Sequence, residues 1–126
     1  MRAHALIAIL LTGQACAPTA TPAPPASAFK LDCDRTYEAL SSEVLALPDL
    51  KPAPRSPGEP YRYYATPDGT LAFVLTEPGA PGHPAIIRQV AARKDGATVM
   101  ENTGCPYGDQ KGFDQLMAYL GGLKTR

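Results

Sequence analysis

An α+β domain is predicted from three observations. Two segments carry apolar residues three and four apart, four runs of β-forming residues lie between them, and tight-turn signals join those runs in pairs. The expected order is an N-terminal helix, a four-stranded antiparallel sheet and a C-terminal helix, packed as a two-layer sandwich over residues 29–126. Short turns make the strands antiparallel, and each helix has one apolar stripe to bury against them.

The first helix is expected after Asp34, whose carboxylate is placed to cap it. Tyr37, Leu40, Val44 and Leu47 supply the apolar stripe, and Pro48 ends the helix. Residues 48–60 hold Pro48, Pro52, Pro54, Pro57 and Pro60 and read as an extended surface connection. The strongest hairpin signal follows. Tyr61–Thr66 and Thr70–Thr76 flank Pro67-Asp68-Gly69, in which Pro presets a turn dihedral, Asp caps the turn and Gly takes the left-handed position. Leu71, Phe73 and Leu75 alternate and are expected to face the core.

A breaker-rich loop, Glu77–Pro84, leads to a third strand at Ala85–Ala92, a tight turn at Lys94-Asp95-Gly96 and a fourth strand at Ala97–Thr103. Asp109 is then a candidate cap for the last helix, with Phe113, Leu116, Met117, Leu120 and Leu123 on its apolar face and Gly121-Gly122 at its end.

Residues 1–28 have a different composition. They contain one charge, Arg2, while every acidic group and every Phe and Tyr lies from Phe29 onward. Arg2 precedes an apolar run, Ala5–Leu11, and then Thr12 and Gly13, which is the layout of a signal peptide over residues 1–15. A membrane-spanning helix needs about 20 apolar residues to cross about 30 Å of hydrocarbon, so this run is too short to be a permanent span. Residues 16–28 form a Pro/Ala/Thr-rich tether, extended at about 3.1 Å per residue.

The run Leu11-Thr-Gly-Gln-Ala-Cys16 resembles the lipobox of bacterial lipoproteins, in which a Cys after small residues is lipidated and becomes the new N-terminus. Gly13 and Gln14 stand where that pattern prefers Leu and a small residue. The resemblance implies a lipid anchor on Cys16. It also implies, from Ala17 where Asp would favour inner-membrane retention, an outer-membrane position facing the periplasm. Cleavage nearby by the general signal peptidase, giving a soluble periplasmic protein, is the alternative.

With 12 basic against 12 acidic residues, no electrostatic bias toward nucleic acid is present. Three cysteines in an exported chain leave one unpaired. Lipidation of Cys16 leaves Cys33 and Cys105 to form a disulfide, which by loop entropy is worth roughly 4 kcal/mol. Cys105-Pro106-Tyr107 resembles part of the C-P-Y-C redox site of glutaredoxins, but Gly108 replaces the second Cys and too little chain follows for the rest of that fold.

No catalytic residue, metal ligand set or cofactor is assigned. After signal removal His83 is the only histidine, in a loop between Gly82 and Pro84, and zinc sites need three or four ligands. The candidate binding residues are Tyr61, Arg62 and Tyr64, as aromatics with a cation, together with Glu77 and His83 on the breaker-rich loop. Alternation puts Tyr61 and Tyr63 on one face and Arg62 with Tyr64 on the other. The expected function is that of a non-catalytic binding or structural module of the bacterial envelope, with a membrane through Cys16 and an envelope protein or peptidoglycan as partners. The alternative is a soluble periplasmic enzyme inhibitor or small hydrolase.

Overall fold

The computed structural model describes residues 24–123 together with Gly13. The rest of the expected signal segment, Cys16 and most of the expected tether lie outside the described residues. The order is a short 3-10 turn (Ala26–Ala28), α1 (Tyr37–Leu45), β1 (Lys51–Ala53), β2 (Tyr61–Ala65), β3 (Leu71–Thr76), β4 (Ala85–Lys94), β5 (Ala97–Pro106) and α2 (Gln110–Gly121). The strands form one antiparallel sheet in sequence order.

The fold is therefore α+β, with five strands where four were expected. The additional strand, β1, lies in the proline-rich connection. Thr66 N–H donates to Leu71 O at 2.9 Å, which turns the even-numbered residues of β2 toward β3 and the odd-numbered ones toward β1. Pro52 faces Tyr64 in the β1–β2 register, so it occupies a position whose nitrogen points away from β2. A proline at a sheet edge in that position forfeits no ladder hydrogen bond.

The expected two-layer sandwich is corrected to three layers. Leu71, Phe73 and Leu75 on one face of β3 pack with Ile86 and Cys105 under Leu40, Val44 and Leu47. Val74, on the other face, packs with Tyr61, Ala85 and Ile87 under Phe113, Leu116 and Leu120 of α2. All six residues of β3 are buried, and a central strand apolar on both sides needs a helix on each.

Helix α1 is capped by Thr36, whose hydroxyl accepts from Ala39 N–H, rather than by Asp34. The preceding turn is held instead by Asp32, whose carboxylate accepts from Asp34 N–H at 3.0 Å. Asp109 caps α2 as expected, accepting from Gly112 N–H. In the β2–β3 turn, Asp68 accepts from Thr70 N–H and from the hydroxyls of Thr66 and Thr70. Asp95 and Gly96 both adopt positive φ (50° and 79°), the two-residue turn that matches strand twist between β4 and β5.

The folded body starts before Phe29. Ala26 is fully buried among the α1-side core residues, and its N–H donates to the Asp49 carboxylate at 3.1 Å. Cys33 and Cys105 are joined by a disulfide with Cα atoms 5.2 Å apart, fastening the segment before α1 to β5.

Candidate functional site

Pairing of β2 with the short edge strand β1 places the tyrosine-rich stretch beside an open margin of the sheet. On the α2 side, a groove of about 620 Å³ runs between that margin and the end of α2. Pro54, Arg55, Pro57, Tyr63, Tyr119 and Leu123 form its walls. Leu123 was expected in the core, but α2 stops at Gly121 and leaves it 41% exposed.

Glu59 organises the groove. Its Oε1 accepts from Tyr63 hydroxyl at 2.6 Å and from Tyr119 hydroxyl at 2.9 Å, and Oε2 accepts from Ser56 N–H at 3.1 Å. Partial burial acts to raise its pKa, but the two phenols, the Ser56 amide and nearby Arg55 outweigh that and hold it below the ordinary carboxylate value. Burial, and then the bond to Glu59, push the Tyr63 phenol well above its usual value. A carboxylate held ionised by two protonated phenols is a rigid polar floor for a groove walled by rings and prolines.

The alternation expected on β2 is found. Tyr61 and Tyr63 face α2, and Tyr61 is buried against the Tyr119 ring at 5.6 Å between centroids. Arg62 is exposed, and Tyr64 is half-buried against the α1-side core. Of the proposed aromatic-and-cation surface, then, Tyr61 is structural. Arg62 and Glu77 do come together: the Arg62 guanidinium bonds the Glu77 carboxylate, and Arg55 reaches its other oxygen at 2.9 Å. These two guanidinium contacts, Arg62 first, hold Glu77 below its ordinary pKa.

His83 lies apart from this cluster. Its Nδ1 is 2.8 Å from Thr76 Oγ1, which also accepts from Ala85 N–H, and its ring meets Tyr37 edge-on at 6.2 Å. The loop carrying it is docked on α2: Gly82, Gly108 and Gly112 approach so closely that a Cβ on any of them would enter a neighbouring backbone. These contacts anchor the loop, and the histidine is part of the anchor.

Glu59, Arg55 and Tyr119 were not expected in the site. Glu59 sits among prolines with no periodic signal, and Tyr119 falls outside the apolar stripe of α2. Among the described residues, no group of three His, Cys, Asp or Glu side chains is placed to hold a metal ion, and no helix is long and apolar enough to cross a membrane. Compared with known proteins, the chain matches no family model, no curated protein and no solved structure.

Proposed function

We propose that this chain is an exported bacterial envelope protein, anchored by lipid on Cys16, whose domain binds another envelope component without catalysing a reaction. The Cys33–Cys105 bridge carries the reading, because such bridges persist in oxidising compartments and rarely in the cytosol. It agrees with the basic start, apolar run, cysteine and proline-rich tract in the first 28 residues. The groove between Arg55, Tyr63 and Tyr119 is the binding surface, and its partner is an envelope protein or peptidoglycan. Rings with few rotatable bonds and one ionised carboxylate suit recognition by stacking and hydrogen bonding.

Mild crosslinking in cells followed by purification tests this reading. Tyr119→Ala and Arg55→Ala, both at accessible groove positions, are expected to lose the captured partner. Equal capture by the parent and both variants would remove the groove from the account.

The fixed loop Glu77–Pro84 favours a second reading, a soluble periplasmic inhibitor that presents this loop to an enzyme. Under that reading, substitution of exposed Pro81 abolishes capture while the groove variants leave it intact.

A further inference from the structure

Outside the groove, the clearest unmet requirement among the described residues is at Arg88. Its side chain lies on the α1 face of β4, opposite Thr103 of β5. Its Nε is buried and, among the described residues, has no hydrogen-bond partner, while its Nη2 donates to Ser27 O at 3.4 Å. A buried guanidinium N–H without an acceptor is costly, and more so for a charged group than a neutral one.

The orphan nitrogen belongs to a residue lining a cleft of about 320 Å³. The segment from Ser27 to Cys33 crosses the sheet here and adds Lys30 to the lining, while Thr103 adds a hydroxyl. The disulfide to Cys105 holds that segment in place. Two cations therefore share one cleft, and among the described residues neither has a carboxylate within ion-pair distance. The neighbouring acids do not fill the role: Asp32 is turned to Asp34 N–H, and Glu101 lies two residues further along β5, opposite Val90.

We propose that this cleft is a binding site for a phosphate-class oxyanion. Arg88 would supply a directional fork, Lys30 a second positive charge and Thr103 a hydroxyl donor. The anion would give the buried Arg88 Nε its acceptor. The cleft lies on the opposite face of the sheet from the tyrosine-lined groove, so the proposal stands whether or not the groove binds a partner.

Titration of the isotopically labelled full chain with inorganic phosphate, at constant ionic strength and followed by amide NMR, tests the proposal. Saturable shifts are expected at Lys30, Leu31, Thr103 and Gly104. Arg88→Gln should weaken binding at least tenfold and Lys30→Gln several-fold. Arg93→Gln removes the same charge from the far end of β4 and should change nothing. If Arg88→Gln does not fold, Arg88→Lys keeps the charge, loses the fork and should still weaken binding.

Sedimentation with phosphatidylglycerol vesicles, against phosphatidylcholine vesicles, identifies the source of the phosphate. Arg88-dependent binding that free phosphate competes away assigns a lipid headgroup, and phosphate binding without vesicle binding assigns a soluble ligand. Shifts that do not saturate, or losses equal in Arg88→Gln and Arg93→Gln, would overturn the site.

Discussion

Replacing Gly112 by Ala sets two effects of opposite sign against each other. In an open helix Ala is better than Gly by up to about 1 kcal/mol, because it loses less backbone entropy. At Gly112 the new methyl would lie 2.8 Å from Gly82 Cα and 3.0 Å from the Pro81 carbonyl carbon, and closer still to Gly82 N. These are backbone atoms and cannot rotate away. Gly82 has φ of 71° and is itself pressed against Phe113, so the whole loop must move. Overpacking of this kind costs about 1–3 kcal/mol, and loosening the His83–Thr76 bond adds about 1.

The net expectation is destabilisation by about 2 kcal/mol, or roughly 10 °C in Tm for a domain of this size. Gly121→Ala is the matched control. Nothing lies within 4 Å of its added methyl, so it should be neutral or stabilising by up to about 1 kcal/mol. Urea unfolding followed by far-UV circular dichroism, with the slope checked for constancy, measures both. A Gly112→Ala protein as stable as the parent would refute the docking of the loop on α2.

Reduction of the Cys33–Cys105 bridge should lower stability by roughly 4 kcal/mol, read as a urea midpoint shift with and without reductant; alkylation of Cys105 before reduction would contradict the bridge. Glu59 has a depressed folded pKa, so its contribution is present above the unfolded value near 4.3 and is lost as pH falls below it. Glu59→Gln should therefore flatten the acid limb of stability between about pH 5 and 3. Tyr63 has a raised folded pKa, so its contribution is full below about 10 and is lost as pH rises through the folded value. Absorbance titration near 295 nm should show Tyr63 ionising only as the protein unfolds, and Tyr63→Phe should remove that late step. Thr36→Ala should cost about 1 kcal/mol through the α1 cap, whereas Asp34→Ala should cost much less.

Local chemistry made most elements legible. Leu40, Val44 and Leu47 keep their spacing into the core, and Pro67-Asp68-Gly69 and Asp95-Gly96 make the turns their conformational preferences demand. The two-faced core was also present in the residues, since Leu71-Ala-Phe-Val-Leu is an unbroken apolar run. Alternation assigns only Leu71, Phe73 and Leu75, yet Val74 is as deeply buried as Phe73.

Strand β1 was hidden because its pairing depends on Pro52 falling at an outward-facing ladder position, which follows from the register of β2 and not from local sequence. The groove was hidden for a similar reason. Glu59 and Tyr119 are sixty residues apart, and only the path of α2 across the sheet brings the hydroxyl of one to the carboxylate of the other.

The mass of the mature protein decides whether the chain is exported and anchored by lipid. Intact mass spectrometry of the membrane fraction should find a chain that begins at Cys16 and carries lipid, with its two other cysteines oxidised, and Cys16→Ser should abolish both the lipid mass and the membrane location. A chain recovered from the cytosol with Met1–Ala15 still attached and its thiols reduced would contradict the account.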